Sequence, residues 1–82
     1  MTVALASDGT IELKGSCPVE DADVLLQHLL GTPDAVVDWQ ACEWAHTAIF
    51  QVLLVARTIP LGTPTNPFLR NHVAPLLKRT IR

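Results

Sequence analysis

The segment "HTAIFQVLLVAR", His46 to Arg57, is apolar on nearly every side of a helix, with Gln51 the lone polar residue between Ala48 and Ala56. A helix of this kind is stable only when it packs on two sides or gives one side to a partner. The chain has 82 residues, and a chain of that size buries roughly 60 to 65 % of its unfolded surface, enough for one core. A single domain over residues 1–82 is therefore expected. The apolar run is far shorter than the roughly 20 residues that cross a bilayer. With 49 % apolar and 17 % charged residues, the composition suits a folded, soluble chain rather than a disordered one. The start "MTVALASDG" has no basic residue and no long apolar middle, so no secretory leader is expected and a cytoplasmic location follows.

The remaining elements follow from periodicity and turn chemistry. In "TVALASDGTIELKG", Val3, Leu5, Ile11 and Leu13 alternate with small or polar residues around Asp8-Gly9. This predicts a hairpin closed by a type I′ turn. "CPVEDADVLLQHLLG" then changes period, with Val19, Ala22, Leu25, Leu26, Leu29 and Leu30 at helical spacings, Pro18 at the start and Gly31 just past the end. "AVVDW" is a short, continuous apolar run, the pattern of a central strand covered on both faces. Trp39 at its end is expected in the core, and Trp44 half exposed in a loop leading to the second helix. Thr47 is the expected N-cap of that helix, with Arg57 in its last turn. "TIPLGTP" predicts a short edge strand, since Pro60 cannot donate to a ladder. Asn66 caps and Pro67 starts a final helix that Pro75 should kink or break, with Leu69, Val73, Leu76 and Leu77 toward the core.

The order β-β-α-β-α-β-α predicts an α/β fold: a small, mixed four-stranded sheet, made of an N-terminal hairpin plus parallel strands, with three helices mainly on one face. Charge divides along the chain. Residues 1–43 hold all eight acids and Lys14, a balance of −7, whereas residues 44–82 hold five bases and no acid. Acids at Glu20, Asp21 and Asp23 fall where a helix begins, and Lys78 and Arg79 where one ends, as the helix dipole favours. The basic tail lacks interleaved aromatics and any reader motif, so nucleic acid is not expected as a partner.

Cysteine and histidine raise the question of chemistry. Cys17 and Cys42 form no CxxC pair and no zinc spacing, and two buried or half-buried thiols are expected. A thiol enzyme would use Cys17 or Cys42 as nucleophile with His46 or His72 as base. Cys17 gains credit if it caps the first helix, where the dipole lowers a thiol pKa. No third orienting residue or oxyanion site accompanies them, and the chain is read as non-enzymatic. A metal held by Cys42, His46 and either His28 or His72 would need three elements to converge. No metal and no other cofactor is expected.

"IELKGSCPVEDADVLLQHLL" followed by "AVVDWQACEWAHTAIFQVLLVAR" resembles the STAS domain family of bacterial anti-sigma factor antagonists, over residues 10–57. In that family a strand ending in Gly leads to the first helix, and a strand ending in Asp leads through a loop to an Asp-Ser-Ser-Gly turn and a Leu-rich helix. Gly15 matches the Gly and Asp38 the Asp. His46 stands where the family has the Asp of the turn, Thr47 at its first Ser, Ala48 at the second Ser that family members phosphorylate, and Ile49 at the Gly. Leu53 and Leu54 match the apolar helix. The family's closing strand and helix are not matched, which makes the chain a short, divergent relative.

The resemblance implies signal transduction by protein docking rather than catalysis. Trp44, His46, Thr47, Ala48, Phe50 and Gln51 are the expected partner-binding residues, and Thr47 the one hydroxyl left as phosphoacceptor. A phosphate there would gain from the amides of the helix N-terminus. The implied partners are an anti-sigma factor kinase, a subunit of a phospholipid ABC transporter in which the chain would be the STAS-type accessory subunit, or a second copy of the chain.

Overall fold

The computed structural model describes residues 2–81; Met1 and Arg82, the last of the five C-terminal bases, lie outside the described residues. Strands β1 (Val3–Leu5) and β2 (Ile11–Leu13) pair antiparallel, with Val3 opposite Leu13 and Leu5 opposite Ile11. That register leaves Ser7, Asp8 and Gly9 in the loop. The Gly9 amide donates to the Ala6 carbonyl at 3.0 Å, the Ala6 amide to Thr10 at 2.8 Å, and Gly9 alone in the loop has positive φ, at 90°. The connection is thus a three-residue turn with a glycine bulge rather than the expected two-residue type I′ turn. The Thr10 amide donates to Asp8 Oδ1 at 3.0 Å, and this bond holds the Asp8 carboxyl below its usual pKa.

Beyond Leu13 the chain stays extended and passes from the first sheet into a second. It kinks and continues as β3 (Gly15–Cys17), because Gly15 adopts φ 65°, outside the extended region open to other residues. Helix α1 (Glu20–Gly31) then crosses over, and the returning chain forms β4 (Val37–Asp38) and β5 (Cys42–Ala45). β4 runs parallel to β2, and β5 parallel to β3. Between β4 and β5, the Asp38 carboxylate accepts from the Gln40 amide at 2.9 Å and the Cys42 amide donates to the Trp39 carbonyl at 2.9 Å. These bonds make an Asx-type turn that breaks the strand in two.

The result is a small mixed α/β fold in which the expected four-stranded sheet is replaced by two sheets, ordered β1-β2-β4 and β3-β5. The expected strand in "TIPLGTP" shrinks to one parallel bridge between Asp38 and Leu61, with the Leu61 amide donating to Val37 at 2.7 Å. Pro60 has no amide hydrogen to offer before it, and Gly62 at φ 82° turns the chain away directly after it.

Helix α1 buries Ala22, Leu25 and Leu29 but leaves Val19 and Leu30 exposed, a narrower stripe than its sequence spacing suggests. Gly31 is its last residue and Thr32 its C-cap, one position later than expected. Asp21 is buried in the first turn, where its carboxylate accepts from the amide and hydroxyl of Thr2 and so ties α1 to the start of β1. Helix α2 (Thr47–Val55) buries Ile49 and Leu53 against the sheets.

The last helical segment begins under Asn66, whose Oδ1 accepts from the amides of Phe68 at 2.8 Å and Leu69 at 3.2 Å, the cap expected there. A π-helical turn, Leu69–Val73, precedes α3 (Ala74–Thr80). The Ala74 amide reaches back to the Leu69 carbonyl, so the backbone has widened just before Pro75. The helix absorbs the proline by this wider turn instead of ending. Leu69, Val73 and Leu77 enter the core, whereas Leu76 is exposed, contrary to expectation.

Trp39 fills the junction of the two sheets, 1 % exposed, with its indole Nε1 donating to the Gly62 carbonyl at 3.0 Å. Its removal would open a large cavity and strand that carbonyl. Trp39→Ala is expected to lower unfolding stability by about 3–5 kcal/mol. Urea denaturation followed by far-UV circular dichroism measures it.

Candidate docking surface

The path from β5 into α2 determines what this region can present. β5 is held by β3 up to its last residue and beyond, because the His46 amide donates to the Cys17 carbonyl at 2.9 Å. His46 is thereby kept extended, at φ −63° and ψ 149°, and its Nδ1 accepts from the Ala48 amide at 3.0 Å. His46, not Thr47, is the N-cap. Thr47 is the first helical residue, and it is exposed. The segment from Cys42, expected as a loop, is a strand through Ala45.

Of the residues expected to bind a partner, Trp44 is 48 % exposed on β5, and its ring meets the His46 imidazole edge to face, with centroids 6.4 Å apart. Phe50 is half-buried against the core. Ala48 and Gln51 face a different feature, a groove of about 390 Å³ between α1 and α2. Its α1 wall is Val19, Ala22, Asp23 and Leu26, and its α2 wall is completed by Val52 and Val55. A second hollow of about 210 Å³ shares Leu26 and Val55 and extends to Leu29, Leu30, Pro33 and Ala56. The two together form an apolar trough along the helix pair, with one carboxylate, Asp23, on its wall.

Sequence reasoning assigned Val19, Leu26 and Val55 to apolar helix faces without seeing that they line a shared trough. The signal was present as excess. Both helices carry more apolar positions than one buried stripe needs, and Val55 is left 78 % exposed.

Cys17 and Cys42 lie elsewhere, both without solvent exposure, with sulfurs 4.0 Å apart between β3 and β5. Cys17 ends a strand rather than capping α1, whose N-cap is Val19. The Cys17 thiol approaches the Lys14 carbonyl at 3.8 Å and the Cys42 thiol the Trp44 carbonyl at 3.4 Å. The hydrogen bond between the two thiols lowers the pKa of Cys17, whose thiolate it stabilises, and raises that of Cys42, whose proton it holds. Asn66 joins the region from the far side, its Nδ2 donating to the Glu43 carbonyl at 2.7 Å. Among the described residues, no group of three or more His, Cys, Asp and Glu side chains is arranged to hold a metal, and no helix is long and apolar enough to cross a membrane.

Comparison with protein-family models, with characterised proteins and with solved structures finds no match.

The cap assignment separates two neighbouring side chains. His46→Ala should cost about 1 kcal/mol of stability, the usual loss of a cap, and His46→Asn should retain most of it. Thr47→Ala, exposed and outside the cap, should stay within about 0.5 kcal/mol of the parent. Paired thermal or urea melts of the three variants check the order.

Proposed function

We propose that the chain is a non-enzymatic, STAS-like regulatory domain that works in the cytoplasm by docking another protein. The docking surface is the trough between α1 and α2 together with the start of α2. The observation that carries this reading is the trough itself, walled by Val19, Leu26, Ala48, Val52 and Val55. Apolar surface gathered in a groove between two helices is a common seat for a partner's apolar side chains. Trp44, exposed beside the cap of α2, adds an aromatic of the kind enriched at interfaces.

The resemblance of residues 10–57 to the STAS family supplies the partner class, an anti-sigma factor kinase. In this reading docking works without the family's usual phosphoserine switch, and Thr47 is the one candidate phosphoacceptor left near its place. Its hydroxyl lies exposed at the first position of α2, where a phosphate would bring about two negative charges to the positive end of the helix dipole and to the edge of the surface.

The test is binding by calorimetry to a purified kinase of the anti-sigma class. Val55→Asp puts a charge in the trough at a position too exposed to disturb the core. It should weaken binding roughly tenfold or more with an unchanged circular dichroism spectrum, and a loss of this kind that Trp44→Ala does not share would place the contact in the trough. Affinity unchanged in both Val55→Asp and Trp44→Ala removes this surface from the interface. Binding to a transporter subunit instead of the kinase would keep the surface and change the job.

A further inference from the structure

The thiols of Cys17 and Cys42 are 25 positions apart in sequence, yet they meet at 4.0 Å, fully enclosed, on a diagonal between paired strands in which Cys17 stands opposite Ala45 and Cys42 opposite Gly15. A disulfide requires a sulfur separation of about 2.05 Å, so the two sulfurs must approach by roughly 2 Å. Side-chain rotation and a small strand shift would supply that distance, and the pairing is irregular at this point. The pairing of β3 with β5 changes register between Gly15 and Ser16, and the Gly15 backbone has open space beside it. The contacts given up are thiol hydrogen bonds to the Lys14 and Trp44 carbonyls, which are weak.

We propose that Cys17 and Cys42 form an oxidisable dithiol, closed to an intramolecular disulfide by a hydroperoxide and reopened by a dithiol reductant. Cys17 is the attacking sulfur, since the neighbouring Cys42 thiol, 4.0 Å away, lowers its pKa and so favours its thiolate. The Cys17 thiolate attacks one peroxide oxygen and the O–O bond breaks. Cys17 becomes a sulfenic acid, and the departing hydroxide takes up a proton as water. The Cys42 sulfur then attacks the Cys17 sulfur, the S–O bond breaks, and the second hydroxide leaves with the Cys42 proton as water. The two thiols lose two electrons and the peroxide gains them. In the reverse direction, a dithiol reductant attacks the bond, returns both protons and electrons, and leaves as its own disulfide.

Local opening of the short β3 and β5 strands admits a molecule as small as hydrogen peroxide. Enclosure then favours the neighbouring thiol over a second chain as the resolving partner. The bond would join β3 to β5 just before His46 caps α2, and it would close a loop long enough to raise the melting temperature by roughly 10 °C or more.

The test treats the full chain with hydrogen peroxide near equimolar ratio, unfolds it, and alkylates free thiols with N-ethylmaleimide. Intact mass should show a monomer lighter by two hydrogens and unlabelled, and peptide mapping should link Cys17 to Cys42. Dithiothreitol should restore two labelled thiols and the lower melting temperature. Cys17→Ala and Cys42→Ala should each keep one thiol and show no rise in melting temperature on oxidation. Two free thiols after treatment, sulfinic acid without a link, or only dimers joined between chains would overturn the proposal. The mapping on the unaltered chain decides even where a variant does not fold. No partner takes part, so the outcome is independent of the docking surface.

Discussion

Parallel pairing of residues 11–17 with residues 37–45 carries the rest of the molecule. Ile11 and Glu12 meet Val37 and Asp38; after the kink, Gly15, Ser16 and Cys17 meet Cys42, Trp44 and Ala45. Parallel strands cannot be joined by a tight turn, so the chain must travel the length of a crossover, and α1 is that crossover. Because β5 then feeds α2 in the same direction, the two helices come to lie side by side, with Ala22 and Ala48 lining one hollow of the trough and Leu30 and Ala56 lining the other. The trough is thus a consequence of strand pairing. The kink is shared by both sides of the ribbon, by Gly15 on one strand and by the Asp38 turn on the other. Trp39 occupies the place where the ribbon folds over.

What was legible in the sequence was local. The hairpin, both long helices, the Asn66 cap and the burial of Trp39 depend on alternation, helical spacing or turn chemistry within a few residues. The misread features depend on distant partners. "CEWA" carries no strand pattern, since Glu43 and Trp44 are both exposed, and it is a strand because "GSC" lies beside it. Thr47 is the better capping residue by type, yet the cap falls on His46. The Cys17 carbonyl holds the His46 amide, so the extended chain persists one residue further than Cys42 to Ala45 alone would suggest. The edge strand at Leu61 failed for the reason its proline announced, with Gly62 limiting the pairing to a single bridge. Of the expected site, Ala48 and Gln51 reach the trough, whereas its α1 wall could be found only by knowing that the helices are neighbours.

The division of charge has a structural use at two places. Glu20, Asp21 and Asp23 gather in the first turn of α1, and Lys78 and Arg79 in the last turn of α3, each at the helix end whose partial charge they complement. Asp21 does more than that, since its buried carboxylate is satisfied by Thr2 and fastens the first residues of β1 over the start of α1. The π-helical turn before Pro75 is a similar local accommodation. By widening one turn, the segment keeps Leu69, Val73 and Leu77 on the core side of a helix that a proline would otherwise interrupt.

Helix α2 shows how stability and surface can be separated within nine residues. Ile49 and Leu53, one turn apart, are the residues it buries completely, and they suffice to seat it on the sheets. Ala48, Gln51, Val52 and Val55 form a second stripe that faces the trough. Burial of an apolar side chain is worth roughly 1.5–3 kcal/mol, and Val55, left in water, contributes little of it to folding. The apolar character of this second stripe is therefore not required by the core. Changes along it can alter what the trough accepts while the inner stripe, the His46 cap and the strand pairing behind them keep the helix in place.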